Sequence, residues 1–256
     1  MRRAFTLIEL LICLAIIGLL LGVLAPSLSR ARALAKSSVC ASNLRQIFLA
    51  NAMYAQEHRG HSVPGAANFL TNLHRWHGSR INTSTAFDSS TGPLAAYLGP
   101  ERAIRACPGF DDFHTGVGAF ERGCGGYGYN NTYIGVKLQS PRGPNYAIQT
   151  DRMGALLDQI ARPQQTVLFA DSAFAASQLI EYSFIEPRFQ PGTTQRRDPS
   201  IHFRHARRAN VAWADGHGSP ERKAMSWSSG LYTGDPNRWD IGWFGESDDN
   251  SLFDME

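Results

Sequence analysis

The sequence has no G-x-S-x-G nucleophile turn and no H-E-x-x-H helix, so neither of those hydrolase chemistries has its machinery here. It has no internal repeat, which sets aside solenoids and propellers. It also lacks any block of like charge. The 25 Lys and Arg residues stand against 22 Asp and Glu and are scattered rather than gathered into a basic stripe, so nucleic acid is not an implied partner. Cysteine is scarce, at four in 256 residues, whereas glycine is not, at 24. The glycines and the many aromatic residues fit a loop-rich extracytoplasmic domain better than a compact helical enzyme. The length suits one modest globular domain with an N-terminal extension.

That extension is apolar. From Phe5 to Ala25 only Thr6 and Glu9 are clearly polar, and as helix this run spans about 31 Å, against about 30 Å of hydrocarbon. Arg2 and Arg3 precede it and, by the positive-inside tendency, hold the N-terminus in the cytoplasm. A secretory signal shares the basic start, but its apolar core is shorter and ends in a small-residue cleavage site, whereas this run leads into more helix. Glu9 is the anomaly. A carboxylate a turn into an apolar span costs about 1–3 kcal/mol, which predicts a partner for it. The alternative is that it reaches the interface at the helix end.

The segment Arg2-Arg3-Ala4-Phe5-Thr6-Leu7-Ile8-Glu9-Leu10 resembles the cleavage and methylation segment of type IV prepilins and type II secretion pseudopilins. In that family a prepilin peptidase cuts just before the Phe and methylates the new amine, leaving Glu as the fifth residue of the mature chain. The resemblance implies a cut between Ala4 and Phe5, although the family usually carries Gly where this chain has Ala4. It also implies that a neighbouring subunit offers its Phe5 amine to Glu9, so that ion pairing sets the register of assembly. Pro26 falls where family members commonly have proline. With Gly18 and Gly22 it predicts a kink or local melting in the filament, close helix packing in lipid being the alternative role of the two glycines.

Beyond the span, residues 27–59 keep a helical rhythm. Leu44, Ile47, Phe48, Ala52 and Ala55 fall on one side, Arg45, Gln46 and Glu57 face elsewhere, and Gly60 is a natural stop. The stretch between Gly60 and Pro163 is broken by Gly, Pro, Asn and Ser and reads as loops with short elements. Cys13 lies in the apolar run and Cys40 in the helix. An extracytoplasmic domain predicts that Cys107 and Cys124 pair, worth about 3 kcal/mol, with Cys13 and Cys40 apart from them; two unpaired thiols are the alternative. Thr166 to Ala170 reads as a buried strand ending at Asp171-Ser172. Ala209 to Ala214 reads as a strand, and Asp215-Gly216 as a two-residue hairpin turn with Gly216 at positive φ.

His205, nine intervening residues and Asp215-Gly216 resemble the C-terminal H-X9-DG signature of prepilin-like proteins abundant in planctomycetes and verrucomicrobia. Cys40 to Gln46, Tyr54-Ala55, Cys107-Pro108, Gly126 to Asn130, and Arg162-Pro163 leading to Phe169-Ala170-Asp171-Ser172 look like the same group. The expected role of the signature is structural, with His205 ending one strand, residues 206–208 turning, and His205 bonding across to the hairpin. A metal alternative would bring His202, His205, Asp215 and His217 together. The closing acids, Glu246, Asp248, Asp249, Asp254 and Glu256, read as a solvated tail, with calcium as the alternative.

These observations predict an α+β, pilin-like fold in which one long N-terminal helix packs through its second half on an antiparallel sheet. Residues 1–4 are the leader, 5–26 the membrane and filament-core helix, 27–59 its amphipathic continuation and 60–256 the globular domain. The expected function is assembly, without catalysis or cofactor, into a pseudopilus or type IV pilus-like filament. Its partners are a prepilin peptidase, like subunits and an inner-membrane assembly platform. The chain crosses the inner membrane once, N-terminus inside and domain outside. A minor, tip-like subunit that binds a secretion substrate or a carbohydrate is the alternative, motivated by Trp227, Trp239, Trp243 and Phe244, whose sign is a contiguous exposed aromatic patch. A tethered enzyme with a deep polar pocket is the third reading.

Overall fold

The computed structural model of the chain describes residues 7–110, 121–141 and 145–256. Its first element is one helix, α1, Leu7–Glu57, about 76 Å long at 1.5 Å per residue. Every side chain from 7 to 35 is exposed, Leu7 and Leu19 at 86% and 70% among them, so this half is not packed into the described part of the domain. It is the one helix of the described residues long and apolar enough to cross a membrane. The second half differs. Cys40, Asn43, Leu44, Ile47, Ala50, Asn51 and Ala55 are buried, recurring every three or four residues as one packed stripe requires. Phe48 and Ala52 lie half-buried on its margin, while Arg45, Gln46 and Glu57 face solvent.

α1 runs through Gly18, Gly22 and Pro26 as continuous helix. It ends in a Schellman arrangement, the Gly60 N–H donating to Ala55 O at 2.8 Å. The first left-handed residue is Arg59 (φ 55°), and Gly60 (φ 83°) follows it rather than leading.

Four strands form the main sheet: β1 Tyr127–Tyr129, β2 Val167–Asp171, β3 Arg208–Trp213 and β4 Gly218–Arg222, in the order β4-β3-β2-β1 with every pair antiparallel. β2 is buried along its whole length, because α1 crosses the sheet and the rings of Tyr129 and Trp76 close on Phe169 at 4.7 and 5.2 Å. Burying Val167, Leu168 and Phe169 is worth about 1.5–3 kcal/mol each. Short paired segments and loops surround this sheet.

Both ends of β3 are tight turns. At its start His205 and Arg208 exchange backbone bonds of 3.0 Å, and Ala206 (φ 52°) and Arg207 (φ 63°) form a two-residue turn rather than the expected three-residue one. At its end Gly216 N–H donates to Trp213 O, and Trp213 N–H to His217 O, each at 3.0 Å. Ala214 and Asp215 are therefore the central residues, and Gly216, at φ +93°, follows them as the bulge that lets the hairpin close. The expected Asp215-Gly216 centre is shifted by one position, because the Asp215 carboxylate accepts the His217 N–H at 3.1 Å and favours the turn one residue earlier.

The C-terminal segment is anchored rather than loose, although the acids Glu246, Asp248, Asp249 and Glu256 are exposed to solvent as expected. Phe253 and Met255 are buried, and the Leu252 and Phe253 carbonyls accept from Val167 N (2.8 Å) and Asn130 Nδ2 (2.7 Å). Nor do the late aromatic residues form an exposed patch: Trp243 and Phe244 are buried, and Trp227 and Trp239 pack half-buried against the core.

Candidate functional site

Four segments far apart in the chain meet under α1. The helix contributes Cys40, the end of β2 contributes Asp171, the turn before β3 contributes His205, and the loop beside β1 contributes Cys107. The Cys40 thiol donates to Asp171 Oδ1 at 2.9 Å. Cys107 Sγ lies 3.4 Å from His205 Nε2, and that nitrogen lies 3.5 Å from Asp171 Oδ2. All four residues are buried, His205 being the most accessible at 7%.

Arg204 ties the group together. Its Nη2 donates to Asp171 Oδ1 (2.7 Å) and Gly126 O (2.6 Å), and its Nε to Cys107 Sγ (3.3 Å). Asp171 Oδ2 also accepts the Asn210 N–H at 2.7 Å, which fixes β3 to β2 at this point. Asn43, one turn along α1 from Cys40, donates to the Tyr127 hydroxyl at 3.0 Å and to the carbonyls of Arg105 and Ala106. The loop that carries Cys107 is thereby bound to the helix. Burial pushes the Cys40 thiol and the Asp171 carboxyl up, and Arg204 opposes both shifts. Cys107 goes the other way, down to about 3, because Cys40, Arg204 and His205 all favour its thiolate against the cost of burial. The site therefore joins two thiols of opposite tendency, Cys107 toward its thiolate and Cys40 away from it, around a buried carboxyl and a buried guanidinium.

The expected Cys107–Cys124 bridge is absent, and all four cysteines are free thiols. Cys124 faces Glu181, whose Oε2 takes its N–H at 3.1 Å and its thiol at 3.6 Å, while Cys107 faces the cluster. Cys40 is accordingly beside Cys107 rather than apart from it. The His202, His205, Asp215, His217 set does not converge either. Asp215 and His217, 2.7 Å apart, sit beyond one end of β3 and the other two beyond its start, a separation of about 20 Å along a six-residue strand. His205 bonds to Cys107 and Asp171 rather than to the hairpin. His202 is buried beside Arg204, and burial lowers its pKa well below the usual histidine value. Among the closing acids, Asp248 pairs with Arg196 (2.6 Å) and Arg188 (3.3 Å), and Asp249 and Asp254 accept local N–H groups.

Each member of the cluster lay in a segment singled out in the sequence; only their convergence was not visible there. Glu9 stands in the first turn of α1, and Ala4 and Phe5 lie outside the described residues. Residues 1–25 match the family model described as the prokaryotic N-terminal methylation motif. No curated protein and no solved structure matches the chain. The motif and the exposed apolar helix that it overlaps support a membrane-anchored, pilin-like structural subunit that a prepilin peptidase processes.

Proposed function

We propose that the chain is a pilin or pseudopilin, cut between Ala4 and Phe5, methylated at the new amine and assembled into a type IV pilus-like filament or a type II secretion-like pseudopilus. The observation that carries this is the division of α1. The half that carries the methylation motif is wholly exposed and, from Leu7 to Ala25, apolar but for Glu9, while the half from Cys40 onward is built into the domain. An exposed apolar stretch of 19 residues, Leu7 to Ala25 with Glu9 its one charged member, has to be covered by lipid before assembly and by neighbouring subunits after it. The chain sits in the inner membrane with its N-terminus inside and hands its helix to an assembly platform. Gly18, Gly22 and Pro26 are where the helix bends when subunits crowd together.

Mass spectrometry of chain extracted from cells with a prepilin peptidase is expected to find methylated Phe5 as the first residue. An intact Met1 start would remove the basis of the reading.

Glu9→Ala should insert into the membrane normally, since it removes a costly group, but leave the Phe5 amine of a neighbour without its counter-ion. The yield of crosslinked oligomers is expected to fall by on the order of tenfold or more. An undiminished yield would reject Glu9 as the register-setting residue.

A further inference from the structure

We propose that Cys40, Cys107, Asp171 and His205 form a structural metal centre for a divalent transition ion of the zinc class, fastening α1 to the sheet domain. This stands independently of the assembly reading. One donor atom from each residue lies within 4.8 Å of every other. Two resolved separations, 3.4 Å for Cys107 Sγ to His205 Nε2 and 3.5 Å for His205 Nε2 to Asp171 Oδ2, match the donor spacing of about 3.3–3.8 Å in a tetrahedral zinc site, and Cys40 Sγ is closer to the other Asp171 oxygen, Oδ1, at 2.9 Å. Two sulfurs, an imidazole and a carboxylate are a borderline-soft set that suits zinc rather than calcium or magnesium. Four protein donors leave no coordination position open, which is the pattern of a structural site and not of a catalytic one.

The charges close as well. Two thiolates and a carboxylate carry three negative charges; the ion supplies two positive charges and Arg204 the third. Arg204 stands where an outer-shell donor should, on Asp171 Oδ1 and Cys107 Sγ, leaving the buried centre neutral.

A Cys40–Cys107 disulfide is the competing use of the two sulfurs. It needs neither an imidazole nor a carboxylate on the same point, yet both are held there. His205 is locked by its two-residue turn, and a Cβ at Gly109 would come within 3.0 Å of its ring. Asp171 is held by Arg204 and the Asn210 N–H.

The test uses the full-length chain, extracted in detergent without chelator. Elemental analysis should find about one zinc per chain, and cobalt loaded into the stripped chain should show the visible absorption of tetrahedral thiolate coordination. Cys107→Ser and His205→Gln should each bind cobalt at least about tenfold more weakly. Cys124→Ser, a buried thiol outside the cluster, should bind it normally. Should the ligand variants fail to fold, the wild-type chain still decides: bound zinc must protect Cys40 and Cys107 from alkylation, and chelator must lower the melting temperature. A stripped wild-type chain that binds neither zinc nor cobalt would overturn the centre, as would a non-reducing peptide map showing Cys40 bonded to Cys107 in protein isolated from cells.

Discussion

Asp171→Ala is expected to lower the stability of the domain by about 3–5 kcal/mol, because it strands a buried cation. The side chains of Arg204 and Asp171 are both fully inaccessible and meet at 2.7 Å. With the carboxylate gone, the guanidinium keeps its contacts to the Cys107 sulfur and to the Gly126 and Ser172 carbonyls but loses its carboxylate counter-ion. The Asn210 N–H loses its acceptor in the same step. For a chain of this size the melting temperature should drop by on the order of 10 °C, read in the presence of chelator so that the ion pair alone is measured. Asp171→Ala combined with Arg204→Met should recover part of the loss, since replacing both members of a buried pair by apolar groups removes the uncompensated charge. A single variant that melts with the wild-type chain, or a double variant no better than the single, would show that the pair does not hold this junction.

How far the sequence foretold this junction depends on the range of the interactions. The helix, the buried Thr166–Ala170 run and the hairpin beyond Ala209 are written in periodicity and turn residues, which act over a few positions. The apolar stripe of α1 was legible for Leu44, Ile47 and Ala55, but its polar members were not. Asn43 and Asn51 are buried because single loop segments pass under the helix and need their amides, Asn51 Oδ1 accepting from Ser62 Oγ at 3.0 Å and from Val63 N at 2.9 Å. The cysteine pairing failed for a similar reason. Cys107 and Cys124 are close in sequence, but the partners of Cys107 lie 98 residues away at His205 and, in the helix, at Cys40, itself bonded to Asp171 across 131 residues. No local pattern encodes such distances; they follow from the order of the strands. The H-X9-DG spacing acquires a physical meaning only in the fold, where it is the length of one strand with a fastening to α1 at each end.

The second of those fastenings predicts that Gly216→Val destabilises the domain by about 2–5 kcal/mol, from two separable causes. The backbone there is left-handed, φ +93°, a conformation that costs a residue with a side chain about 1–2 kcal/mol and a β-branched one more. The turn also presses on the helix: a Cβ on Gly216 would lie 2.6 Å from Phe48 Cε1 and 2.8 Å from its Cζ, and overpacking of this kind costs about 1–3 kcal/mol. A Phe48→Ala background tells the two apart. If the close approach to α1 matters, Gly216→Val should cost distinctly less once Phe48 is truncated, so that the two changes are non-additive, as contacting residues usually are. The residual cost is then the backbone strain. Additive losses in the double variant would show that the turn does not bear on the helix, whose hold on the domain would then rest on its buried stripe from Cys40 to Ala55. Because the exposed half of α1 transmits any tilt of its buried half into the membrane, non-additivity should be accompanied by weaker crosslinking of neighbouring helices in Gly216→Val than in the wild-type chain.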